Sequence, residues 1–429
     1  MEYYCKKNLS KLNAISILNI VVLVKFMGGV GRFGDVVLGA HAETIFSIIV
    51  YSIIGIELLV QYKFENLKVY SKSIYKVYSK SIYIAIFYSA LLAISLTVTS
   101  DYTTTVKNCF ELLVTILYAN YLANKLSLNK LLDYTINAQF IILILIFIMM
   151  LAFKGVAYDN SGALVGIFST KNNMAGELTF SILITLSKIR WLMTNKQKGI
   201  LKYVLFIIIQ FYLIILCKAV GAIVCMILPF VIMIVIDHRN STVSLGKMYL
   251  LINVVFGSIV VYCLSIFNGV LQTFGRNITL TGRLPIWNII TSEMMLGNKW
   301  FGYGYGTAWD VNNDIFLKIC RQYNLVLGGI PVGSHNGLIE LWMSIGIVGV
   351  VVFLLMIYKI CAHTRNMSSS PERFFICIYI LYFAVYSLTE RSLGAFNYQT
   401  LVLFVVLWLV IKISETSSIR YFKTMKQYE

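Results

Sequence analysis

Acidic residues and paired cysteines are scarce in this sequence, and each scarcity narrows the function. Asp and Glu number 19 against 36 Lys and Arg, giving a formal charge of +17. Charged residues of both signs together make up only 13% of the 429 residues, where a soluble domain carries about a quarter. With 59% of its residues hydrophobic, the chain is no water-soluble globule, and a large soluble catalytic domain is excluded. The basic excess therefore belongs to cytoplasmic loops of a polytopic membrane protein, and no nucleic acid partner is expected. The eight cysteines never form CxxC and lie mostly in apolar runs, so neither a disulfide framework nor a zinc site is indicated. No D-x-D occurs, which argues against a nucleotide-sugar transferase that holds its donor through a metal; no cofactor is expected.

What is abundant is apolar sequence. Windows long enough to cross a bilayer fall near 10–30, 44–62, 82–99, 109–124, 135–153, 173–189, 201–217, 219–236, 248–267, 336–358, 373–390 and 397–413. The first follows a basic N-terminus without a small-residue cleavage site and reads as a membrane helix, not a removed signal. The expected fold is all-α, with residues 1–429 forming one integral membrane domain of about twelve transmembrane helices. With the N-terminus inside, the cytoplasmic segments hold 24 of the 36 Lys and Arg and the outer segments 11, five of these in the single long loop 268–335. Long loops are exempt from the charge rule, so the bias places both termini in the cytoplasm and that loop outside. Glu57, Glu111, Glu177, Lys25 and the Glu390–Arg391 pair fall at membrane depth, where ionisable groups face the protein interior.

The loop 268–335 is too long for a plain connector and too rich in aromatics for disorder. Its stretch RLPIWNIITSEMML reads as a helix lying at the membrane interface, with Thr281 as N-cap, Pro285 in the first turn, and Arg283 and Trp287 four apart on one face. Then come FGYGYG, whose glycines (Gly304 among them) permit close backbone approach to a ligand, and SHNGLIELWMSIGIVG, which opens the next membrane helix. His335 and Asn336 stand at that helix start, where free amides suit a phosphate, and Glu340 lies further along it. Lys171 and Asn172 mark the outer end of the sixth window. Lys218 is either an anion contact or a snorkelling helix-end lysine.

In order and spacing, GIFSTKNNMAG, TGRLPIW, FGYGYG and HNGLIELWMSIGIVG resemble the motifs of the O-antigen ligase and O-antigen polymerase superfamily, over roughly residues 160–360. The chain departs from that pattern at CKAVGA, where Val220 stands in place of an arginine and Lys218 lies two residues earlier. The resemblance implies a GT-C-like membrane enzyme of the cytoplasmic (inner) membrane, handling an undecaprenyl-diphosphate-linked oligosaccharide at its outer face. Its partners would be membrane lipids, a chain-length regulator and a flippase. A leaving diphosphate needs positive charge, and Arg283, Lys218 and Arg276 are the outer-face cations for it. The acceptor hydroxyl must lose a proton, and His335 is the side-chain type best matched to that work near neutral pH. Trp287, Gly304, Asn336, Glu340, Lys171 and Asn172 would contact substrate. A polymerase is the reading the resemblance favours here, with a ligase to another acceptor, such as lipid A core, and a lipid-linked sugar transporter as rivals.

Overall fold

The computed structural model describes residues 15–28, 31–39, 42–65, 74–238, 244–256, 283–311, 313–327, 333–367, 369–391 and 397–425. In chain order its helices are α1 (Ile15–Phe26), α2 (Gly31–Leu38), α3 (Ala42–Glu65), α4 (Ile74–Val98), α5 (Tyr102–Lys125), α6 (Leu128–Ala152), the single turn α7 (Lys154–Ala157) and α8 (Lys171–Thr194). There follow α9 (Ile200–Leu216), α10 (Val220–His238), α11 (Leu245–Leu250), α12 (Arg283–Leu296), α13 (Asp314–Leu327), α14 (Gly337–Cys361), α15 (Pro371–Tyr386) and α16 (Tyr398–Met425). The architecture is all-helical; among the described residues the one β pairing is an isolated bridge between Tyr158 and Leu164. Every apolar window meets a helix, although the ninth is described only as far as Phe256. Among the described residues, four segments are long and apolar enough to cross a membrane: Lys80–Val98, Leu128–Ala152, Gly337–Arg365 and Tyr398–Glu415.

The chain divides into two compact units. The first comprises residues 1–71, 116–240 and 368–382, and α8 is its centre. From Met174 to Thr185 every residue of α8 is buried, as expected of a helix surrounded on all sides by α6, α9 and α10. Thr170 starts it by accepting a hydrogen bond from the Asn173 amide at 3.2 Å. Polar groups in this interior find one another: the Ser181 hydroxyl donates to Gln139 Oε1, and Tyr382 donates to the Gly176 carbonyl at 3.1 Å. Lys188 pairs with Asp133 at 2.6 Å, and Lys25 with Glu43 at 3.0 Å. The outward faces are apolar. Leu205, Ile208, Tyr212 and Ile215 on α9, and Val224, Ile227, Val231 and Ile234 on α10, are exposed at helical spacing. Stripes of this length are not sustained against water, and lipid is the solvent that suits them.

The second unit comprises residues 72–115, 241–367 and 383–429. Here α14 is central, packed against α4, α11 and α16, but it is not one straight helix. Ile345 (φ −132°, ψ 16°) and Gly346 (φ 67°, ψ −176°) break it, and the break frees peptide groups that need partners away from water. The segment 299–304 supplies them. Tyr303 N donates to Met343 O and Gly304 N to Ser344 O, while Ile347 N donates to Lys299 O, each at 2.9 Å; Val348 N reaches Trp300 O at 3.2 Å. Two glycines make this docking possible. Gly346 has a backbone conformation that is essentially glycine's alone, and a Cβ there would collide with Trp300 O. At Gly302 (φ +73°) a Cβ would sit 2.7 Å from Met343 O.

Gly346→Ala should therefore cost about 3 kcal/mol, combining the strained backbone with the overpacking. The expected result is a clear fall in the apparent melting temperature of the detergent-purified protein. A melting temperature equal to wild type would mean that the break is not held as described.

The segment between α11 and α14 is well structured where it is described. α12 has the bounds that the sequence predicts, yet its apolar face is covered by protein: Leu284, Trp287, Ile290 and Met294 pack with Ile315 and Ile319 of α13 and with Met343 of α14. Residues 268–282 and 328–332, with Arg276 and the expected cap Thr281, lie outside the described residues.

Candidate functional site

The polar residues at the N-terminal end of α14 form two adjoining networks within the second unit. Arg283, the first residue of α12, donates from Nη2 to Glu390 Oε1 at 2.6 Å. The other oxygen of the same carboxylate lies 3.2 Å from His335 Nδ1. One acid thus grips both of the residues for which the sequence predicts chemistry. Glu390 is 13% exposed and His335 38%, so the carboxylate is inside and the imidazole is the accessible member. A second set runs beside it through neighbours in sequence: Ser334 donates its hydroxyl to Glu340 Oε2 at 2.6 Å, and Arg391 Nε lies 3.3 Å from Glu340 Oε1. Glu340 is buried and Arg391 is exposed.

Several supports hold this geometry. Trp287 is buried and donates its indole N–H to Ser334 O at 2.6 Å, so it braces the residue before His335. Asn336 caps α14: its Oδ1 accepts from the amides of Leu338 at 3.0 Å and Ile339 at 3.1 Å. The Gly337 amide donates to Ser387 O at 2.7 Å. The amides expected to be open to phosphate are therefore occupied by the protein itself, and Asn336 is a structural cap. His335 has φ +51°, one of three non-glycine residues with positive φ among those described. Such a backbone is held only where its surroundings over-determine it, and it clusters at functional sites.

Gly304 is also spent internally. A Cβ there would fall 2.6 Å from Thr307 Oγ1, so the close approach that this glycine permits is to the chain itself.

Lys171, Asn172 and Lys218 belong to the first unit, where the structure brings both lysines to one residue. Lys218 donates to Ser161 O at 3.0 Å, and Lys171 Nζ lies 3.4 Å from Ser161 Oγ and 3.8 Å from Asp159. Asn172 is half-buried beside them at the start of α8. Lys218, at φ +52°, follows the last turn of α9, a position that usually takes glycine. The carboxyl of Asp159 is held below its ordinary range, first by the Ser161 hydroxyl at 2.6 Å, then by the amides of Ala163 and Ser161 and by Lys171. Two cations against one such carboxylate leave this loop net positive.

Sequence reasoning missed Glu390, Arg391 and Ser334 as members of the site. The signal for the first two was available: the pair ends an apolar window on the face assigned to His335. Among the described residues no group of three or more His, Cys, Asp or Glu side chains is placed to hold a metal ion.

Comparison with known proteins bears on a network of this kind. Residues 178–354 match the O-antigen ligase family (Wzy_C). The matched segment carries Lys218, Arg283, His335, Asn336 and Glu340, and it ends before Glu390 and Arg391. A putative polysaccharide ligase of Rickettsia felis is 25% identical over 96 residues, which is 21% of this chain and 22% of that protein. The chain is thus matched over about a fifth of that relative's length. The match and the relative together support the resemblance to the O-antigen ligase and polymerase superfamily, whose members transfer glycans.

Proposed function

We propose that this chain is a glycan polymerase at the outer face of the cytoplasmic membrane, joining undecaprenyl-diphosphate-linked repeat units of an O antigen or capsular polysaccharide. The observation that carries the reading is the meeting of Arg283 and His335, both within the segment that matches the O-antigen ligase family, on the carboxylate of Glu390. His335 takes the proton of the acceptor hydroxyl, whose oxygen attacks the anomeric carbon. The anomeric C–O bond to the diphosphate breaks, and its electron pair leaves with the diphosphate, beside Arg283. Arg283 keeps donors beyond the one given to Glu390, because a guanidinium has five N–H groups. Lys171 and Lys218 serve headgroup or sugar in the first unit. The donor diphosphate supplies the driving force, so no soluble energy source is needed, and a flippase and a chain-length regulator act with the enzyme.

The printed names of the matched family and of the Rickettsia relative favour a second reading, a ligase that passes the same donor to another acceptor. Purified protein in lipid nanodiscs, supplied with lipid-linked repeat units and no second acceptor, separates the two. A ladder of products supports the polymerase. Transfer only after another acceptor is added supports the ligase, and no transfer under either condition overturns both.

The reading also requires twelve crossings with both termini inside. Val311, 66% exposed in the segment between α12 and α13, is the position for testing it. Val311→Cys in intact spheroplasts should react with a membrane-impermeant maleimide, whereas reaction only after lysis would place this segment inside.

A further inference from the structure

We propose that Glu390 is the positioning residue of this site: it fixes the ring of His335 with Nδ1 protonated and turned inward, leaving Nε2 as the nitrogen that takes the acceptor's proton. The inference rests on the glycan-transfer reading above and adds a residue outside the segment that matches the family.

The argument begins with what a carboxylate can do. Ion-paired with Arg283 through Oε1, it has only lone pairs to offer at Oε2, so the contact with Nδ1 at 3.2 Å is a hydrogen bond only if Nδ1 carries the hydrogen. In a neutral imidazole that leaves Nε2 bare, which is the form a general base requires. The acid is itself held in place. Glu390 N donates to Tyr386 O at 2.9 Å, and two residues of the same turn hold the start of α14: Ser387 O takes the Gly337 amide at 2.7 Å, and Leu388 O takes Asn336 Nδ2 at 3.5 Å. His335 is pinned from the other side by the Trp287 bond to Ser334 O. The ring is thus set by one fixed carboxylate, and the backbone on either side of His335 is held by the bonds to Ser334 O and from Asn336. Arg283, on the neighbouring oxygen, is placed beside the same ring by the same group, so base and cation share one anchor.

Steady-state transfer by the full chain in nanodiscs tests this, with a lipid-diphosphate-linked oligosaccharide as substrate. Glu390→Gln keeps the size and an acceptor for Arg283, but its amide N–H can also donate to Nδ1 and select the wrong tautomer. The expected result is a fall in kcat of about 100-fold, within the range that a general base contributes, with the donor KM within about threefold of wild type because Arg283 keeps its charge. Glu390→Asp, which restores the carboxylate one methylene shorter, should recover part of kcat. In the His335→Ala background, Glu390→Gln should cost nothing further, since a group acting through His335 has nothing left to act on. Wild-type kcat in Glu390→Gln, a KM that rises in step with the fall in kcat, or additive losses in the double variant would each overturn the assignment. Should Glu390→Gln fold poorly, Glu390→Asp alone and paired with His335→Ala decides the same question by additivity. Absence of transfer by the wild-type chain would instead count against the glycan-transfer reading itself.

Discussion

His335→Ala is expected to stop chain extension, with a rate loss of roughly 10²- to 10⁴-fold, the range that a general base contributes. Donor binding should survive, because the proton it removes belongs to the acceptor, and Arg283 remains tied to Glu390 at 2.6 Å. Retention of a labelled lipid-linked donor by the variant in nanodiscs, alongside product formation, separates the two steps. The structure supplies the contrast. His363 lies in the turn Ala362–Asn366 at the far end of α14, and His363→Ala should turn over like wild type. His41, just before the apolar window 44–62, lies outside the described residues and is the substitution to run beside it. A transporter would be indifferent to all three. Near-normal extension by His335→Ala would remove the general base from this site and reduce His335 to an anchor.

Arg283→Lys is the second decisive substitution. Lysine preserves the charge but replaces a planar fork by a single point, so it cannot hold Glu390 and a phosphate oxygen in fixed directions together. Loss of one preorganised donor to developing negative charge is worth about 3 kcal/mol, and transfer should therefore fall roughly 100-fold or more. Arg283→Ala should do at least as much and also loosen the fold, since among the described residues it leaves a largely buried carboxylate with the partly exposed His335 as partner. Comparing initial rates at equal amounts of folded protein distinguishes chemistry from stability. A lysine variant that makes polymer at the wild-type rate would show that the arginine's work is anchorage alone.

Much of this was legible in the sequence. The apolar windows fall on helices because lipid-length apolar runs leave the backbone few other ways to satisfy its polar groups. α12 has the bounds read from RLPIWNIITSEMML, and the motif residues Arg283 and His335 do meet. What the sequence hid were pairings across long separations. Glu390 follows an apolar run and read as a buried charge, because nothing local says that 55 positions earlier a histidine awaits its carboxylate. Asn336 read as a ligand for substrate, although an Asn immediately before an apolar helix is also the signature of a cap. Lys171 and Lys218 read as separate cations, and their common partner Ser161 carries no pattern of its own. The break in α14 was invisible, since glycine is frequent in membrane helices that run straight through.

That break bears on how the chain responds to the thickness of a bilayer. Both parts of α14 are tied by backbone bonds to residues 299–304: the part that carries Glu340 through Met343 O and Ser344 O, and the rod from Gly346 to Cys361 through the amides of Ile347 and Val348. A membrane thicker or thinner than that rod is accommodated by changing its tilt. Because one segment holds both sides of the break, the two parts keep their angle, and a change of tilt carries Glu340, residues 299–304 and the rod together.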